Sequence, residues 1–179
     1  AEAGVVYPGM ILVATDSHTT THGAFGSLGT GCGATDMACI LMTGEMWFRV
    51  PEIIEIRLEG QPQKGVYPKD VILTVLGKIK ADGAVYKCID FTGSYVDALD
   101  IPGRMTICNM AVEMGAKTAY MQPNQEVLDY VAARAVRPYE VVYTDPDFVY
   151  AESHVFDVSA MEPVVSCPHD VDNVHPITE

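Results

Sequence analysis

An α/β fold built on a parallel or mixed sheet is what this chain predicts, on three observations. Short apolar runs alternate with stretches of helical period, Gly, Pro and Asp punctuate the joins, and neither internal repeats nor low-complexity segments interrupt the order. The first apolar run, Met10-Ile11-Leu12-Val13-Ala14, reads as a strand over Met10 to Thr15. Directly behind it the nonapeptide Thr15-Asp16-Ser17-His18-Thr19-Thr20-Thr21-His22-Gly23 gathers a carboxylate, hydroxyls and two imidazoles. Open α/β sheets place their ligand crevices at the carboxyl ends of strands, so this cluster is the leading site candidate.

A glycine-rich stretch from Gly23 to Gly33 follows and implies close backbone packing, because it lacks the GxxxxGK[ST] order of a phosphate-cradling loop. Ala34 to Phe48 carries Met37, Ile40, Leu41 and Trp47 at the spacing of a buried helix, and Pro51 marks a boundary after it. In Glu52 to Glu59, Ile54, Ile56 and Leu58 alternate with Glu55, Arg57 and Glu59, the pattern of a half-buried strand. Pro68 opens an amphipathic helix through Val71, Ile72, Val75, Leu76 and Ile79 that ends near Asp82-Gly83. A third strand is read at Val85 to Phe91.

Gly103 to Gly115 reads as a mostly apolar helix with two polar interruptions, Asn109 and Glu113, which lie four residues apart and so share a face. A buried amide and carboxylate need partners, either a ligand or neighbouring backbone. Beyond it come a short strand near Thr118 to Met121, a helix from Asn124 to Ala135 and irregular chain through Tyr143 to Asp147. Two further strands are read near His154 to Val158 and Pro163 to Cys167.

Composition bounds the function. The chain has 179 residues, 49% of them hydrophobic, and no apolar stretch approaching the ~20 residues of a spanning helix, which predicts no membrane partner. Against 11 Lys and Arg stand 24 carboxylates, a net charge of -13 that repels nucleic acid. The five cysteines, Cys32, Cys39, Cys88, Cys108 and Cys167, form no CxxC pair and no regular spacing, so they read as packing thiols in a reducing compartment, with the cytoplasm as the expected location. Ala1-Glu2-Ala3-Gly4 has neither an initiator Met nor the order of a signal peptide, and the chain is expected to begin inside a longer protein.

Asp16-Ser17-His18-Thr19, the glycine-rich segment after it, the Gly65 to Lys80 helix and above all Gly103-Arg104-Met105-Thr106-Ile107-Cys108-Asn109-Met110-Ala111-Val112-Glu113-Met114-Gly115-Ala116 resemble the aconitase superfamily. The likeness is to the large subunits of 3-isopropylmalate dehydratase, homoaconitase and 2,3-dimethylmalate dehydratase. It implies three-layer α/β domains: residues 1–48 as the closing part of a first domain, 49–165 as a second, and 166–179 as a segment leading toward a third. It further implies a hydro-lyase whose [4Fe-4S] cluster, held by three cysteines, acts as a Lewis acid on a hydroxy dicarboxylate or tricarboxylate. By the same resemblance Asp16, Ser17, His18 and Glu113 are the catalytic residues, and Asn109 lies close to the cluster without binding it. The implied partners are a dehydratase small subunit and the remainder of the large subunit.

The family's cluster cysteines stand further on, in a GSCTNGR-type motif and a CxxC pair, and neither occurs here. The expectation is therefore a fragment of a leucine-pathway isopropylmalate isomerase that holds no cluster and is inactive alone. Three other readings stay open: a homoaconitase or dimethylmalate dehydratase parent, a stand-alone interaction module that kept the fold, and a metallohydrolase using Asp16, His18 and His22. A Ser17/His18/Asp16 triad is disfavoured because adjacent residues on an extended chain alternate sides. His22 itself reads as an exposed loop histidine.

Overall fold

The computed structural model describes residues 1–178. Its centre is a four-stranded parallel sheet in the order β5-β4-β3-β6, where β3 is Ile53–Glu59, β4 Cys88–Thr92, β5 Thr118–Tyr120 and β6 Glu152–Asp157. Parallel neighbours need long crossovers, and helices supply them here. Between β3 and β4 runs α2 (Pro68–Ile79), following α1 (Ala34–Thr43) earlier in the chain. α3 (Ser94–Asp97) and α4 (Ile101–Asn109) lead from β4 to β5, and α5 (Gln125–Ala132) follows β5.

Proline at the first turn of α2 leaves no donor unsatisfied, and the Asp70 carboxylate accepts the Tyr67 backbone N–H at 2.8 Å. The opposite Asp70 oxygen accepts from Val164 N–H at 3.0 Å, tying the helix to a small antiparallel pair, β7 (Val164–Ser166) and β8 (Val174–Pro176). Val71, Ile72, Leu73, Val75 and Leu76 of α2 are all buried, against a core that includes Ile54, Ile56 and Leu58 of the sheet.

The strand at Glu52 to Glu59 is more deeply set than its alternation predicted. Being central in its sheet, β3 buries Glu55 as well as the isoleucines, and that carboxylate accepts from Arg57, Thr92 and Ser153 at 2.8, 2.8 and 2.5 Å. Burial alone would raise its pKa; the three donors outweigh it and hold Glu55 below the ordinary carboxylate value.

The first forty-four residues form a separate parallel pair, β1 (Ile11–Ala14) and β2 (Leu28–Gly31), joined by a 3-10 helix over Ser17–Phe25. β2 lies inside the glycine-rich stretch and was not legible as a strand. Tight packing there is as predicted: a Cβ on Gly23 would stand 2.1 Å from the Ala119 carbonyl oxygen, and one on Gly29 2.2 Å from that of Thr19. Threonine hydroxyls bind this pair to the main sheet, Thr118 donating to Gly29 O at 2.8 Å and Thr30 to Lys117 O at 3.0 Å.

Arg104 completes the joint. Fully buried, its guanidinium donates to the carbonyls of Ala24, Val96 and Gln122 at 3.1, 3.1 and 2.5 Å, so one side chain fastens the 3-10 helix, α3 and the chain after β5.

The buried helix read over Ala34 to Phe48 is corrected. α1 stops at Thr43, where Gly44 takes the left-handed conformation, and none of its residues is buried; Leu41 is 80% and Trp47 81% exposed. Among the described residues no element covers its apolar stripe. Of the cysteines, Cys88 and Cys108 are core thiols as read, whereas Cys39 is exposed on α1. Among the described residues no helix is long and apolar enough to cross a membrane.

Candidate functional site

The polar nonapeptide does not form an open turn. Asp16 caps the 3-10 helix, its Oδ1 accepting the His18 backbone N–H at 2.6 Å, and Thr19 and Thr21 return their hydroxyls to the carbonyls of Asp16 and His18 at 2.6 Å each. Three residues complete a turn of such a helix, so His18 and Thr21 stand on one face. That face meets the C-terminal part of the Gly103 to Gly115 segment.

This segment is not one α-helix. α4 ends at Asn109 and the chain tightens into a second 3-10 helix over Met110–Met114. The two polar residues nonetheless reach the same neighbour. Asn109 Nδ2 donates to Thr21 Oγ1 at 2.9 Å, and Glu113 Oε1 lies 3.3 Å from His18 Nε2, across 95 residues of sequence. With Nε2 protonated toward Glu113, Nδ1 is left to accept from the Ser17 hydroxyl at 3.3 Å. Hydroxyl, imidazole and carboxylate thus form a continuous line. The imidazole and carboxylate are each about one-third to two-fifths exposed.

Asp16 Oδ1 stands 3.6 Å from Nδ1, the nitrogen that Ser17 also faces. A hydrolytic triad needs its carboxylate on the nitrogen opposite the nucleophile, which Asp16 does not provide. Nor do Asp16, His18 and His22 gather: among the described residues no group of three or more His, Cys, Asp or Glu could hold a metal. His22 is half-buried rather than exposed, its Nδ1 enclosed without a partner, and burial lowers its pKa.

Beside the pair lies a hollow of about 360 Å³ at the carboxyl ends of β1 and β2, lined by Ser17, Gly31, Cys32, Asp36, Val112 and Lys117 among others. Ser17 and Val112, the sequence neighbours of His18 and Glu113, line it; His18 and Glu113 themselves are not among its lining residues. Lys117, which donates to Gly31 O at 3.0 Å, was not singled out from the sequence; a lone lysine between Ala116 and Thr118 carries no pattern of its own.

The whole sequence, residues 1–179, matches the aconitase family (aconitate hydratase). The chain belongs to the aconitase family. Among its relatives, a probable methanogen homoaconitase large subunit of Methanothermobacter thermautotrophicus is 55% identical over 98% of this chain and 41% of its own length. The corresponding protein of Methanosarcina mazei is 50% identical over 99% of the chain and 46% of its own. The 3-isopropylmalate dehydratase large subunit of Heliobacterium modesticaldum is 46% identical, over 99% and 42%. The chain thus spans less than half the length of these curated relatives.

Proposed function

We propose that this chain is the portion of a hydro-lyase large subunit that handles the proton when water is removed from, and returned to, a branched hydroxy acid. The observation carrying the reading is the meeting of His18 and Glu113 from segments 95 residues apart. An imidazole backed by a carboxylate can take and release a proton near neutrality, and Ser17 on its other nitrogen extends the line to the hollow. Asp16 fixes the backbone of His18 through the cap, and Asn109 holds Thr21 one turn on. In this reading Asp16 and Asn109 position the imidazole.

Family resemblance implies a [4Fe-4S] cluster, which would supply Lewis-acid activation of the departing hydroxide. The residues present do not fit its ligand set. Burial pushes the Cys88 and Cys108 thiols up to about 12, far from the thiolate a cluster needs, and no cysteine sits in a group of candidate ligands among the described residues. The chemistry assigned to this chain is accordingly the proton alone, and by itself it is expected to be inactive. A complete site would draw on the remainder of a large subunit and on a small subunit.

For the substrate, isopropylmalate interconversion is the reading from motifs, with dimethylmalate as a further candidate. The identities of 55% and 50% to probable homoaconitases, against 48% to a probable isopropylmalate dehydratase of the same methanogen as the first, favour a homoaconitate-type acid as a second reading. The test is turnover by the longer large subunit assembled with its small subunit, on both acids. His18→Gln and Glu113→Gln should each lower kcat roughly 100-fold or more, the scale of a lost acid-base group, with substrate binding retained. A loss under about threefold in both would end the proposal.

A further inference from the structure

We propose that a second hollow, floored by Asp90 and walled by Tyr120, Tyr143 and Phe148, is a binding site for a small organic ammonium ion with an apolar body. It lies between the amino-terminal halves of β3 and β4, where Ile53 and Cys88 are register partners, and a strap over residues 142–150 that crosses this face of the sheet. The hollow measures about 250 Å³ and shares no lining residue with the one beside Ser17. A cavity of roughly 150 Å³ already accommodates benzene, so an aromatic ring with a short polar arm fits.

The chemistry of the occupant follows from Asp90. Only 2% of it is exposed, and one oxygen, Oδ2, accepts from Tyr150 and Thr144 of the strap at 2.7 and 3.1 Å. The other, Oδ1, is buried with no partner. A buried carboxylate oxygen lacking a donor is costly, and a ligand that brings one recovers that cost. The titratable groups around Asp90 include Glu55 on β3, Cys88 on its own strand, Cys108 on α4, Tyr120 on β5, and Tyr143, Asp145 and Tyr150 on the strap. None is cationic, and Glu55 already spends its oxygens on Arg57, Thr92 and Ser153.

A donor carrying positive charge therefore gains from Asp90, from Asp145 at the wall, and from the three aromatic residues that line the hollow. An occupant with its own carboxylate would meet Asp145 and is disfavoured. Burial, with Glu55 adding to it, pushes Asp90 up to about 6, so the anion that recruits the cation is present above that pH and lost below it.

The experiment titrates the full chain with benzylamine and with its neutral counterpart, benzyl alcohol, by NMR chemical-shift perturbation at pH 8 and pH 5. At pH 8 the amine should bind roughly tenfold or more tightly than the alcohol, a charge-assisted hydrogen bond being worth at least that factor. The preference should shrink at pH 5 and vanish in Asp90→Asn, while Asp145→Asn weakens amine binding about twofold to fivefold. Shifts that fail to appear for either compound at Tyr120, Tyr143 or Phe148, equal affinities in the unaltered chain, or a preference that survives in Asp90→Asn overturn the proposal. Should Asp90→Asn fail to fold, the amine-to-alcohol ratio in the unaltered chain, with its pH dependence, decides alone.

Discussion

α1 and α2 are both apolar-rich helices of similar length, yet one lies bare and the other is the backbone of the core. In α2 five residues are buried, and Leu76 is wholly inaccessible; in α1 none is buried, and Leu41 stands 80% exposed. Amphipathic spacing states that a helix has a face to bury. What covers that face depends on which elements the rest of the chain delivers, and a four-stranded sheet delivers far more surface than the two short strands beside α1.

The first way to break this contrast is at the joint between the regions. Arg104→Met removes three charge-assisted bonds to buried carbonyls, and should cost about 3–5 kcal/mol in urea unfolding followed by circular dichroism. Retention of full stability would mean that the amino-terminal pair and the sheet are held together by other contacts. The contrast is sharpened by a matched pair. Leu76→Ala should destabilise by about 3 kcal/mol through transfer and cavity terms, whereas Leu41→Ala should change stability by less than about 0.5 kcal/mol.

A pH-dependent effect tests whether the buried region is stabilised throughout. Glu55 and Asp90 are register partners, both buried, yet the first is held low by three donors and the second is pushed up to about 6 from an ordinary 3.8. An acid whose folded-state pKa is raised favours folding most while protonated. The stability it confers is complete below about pH 4 and is lost as pH rises through about 6. Asp90→Asn should therefore melt higher than the unaltered chain at pH 8, by an amount on the order of 2 kcal/mol, with the gap closing toward pH 4. A pH-independent difference would show that the carboxylate is not the group responsible.

Much of the fold was legible because its signals are local. Alternation marked β3, the Pro68 start and 3.6 period marked α2, and the helix read from Asn124 to Ala135 is α5, Gln125–Ala132. β2 escaped because Leu-Gly-Thr-Gly offers one apolar side chain and no alternation; its ladder partner and its threonine bonds come from elsewhere in the chain. The helix at Gly103 to Gly115 was legible, its tightening at Met110 was not, since tertiary contacts decide whether a last turn closes on the third or fourth residue. His22 was misread for the same reason: nothing adjacent in sequence encloses it.

By itself the sequence determined the alternating α/β order, the polar cluster behind the first strand, and the Asn109 and Glu113 spacing, because each depends on residues a few positions apart. Tertiary structure alone decided that His18 meets Glu113, that Arg104 is a buried fastening rather than a surface charge, and that Asp90 carries an oxygen with no donor. Those are properties of what surrounds a side chain, and the surroundings are assembled from segments that sequence proximity does not relate.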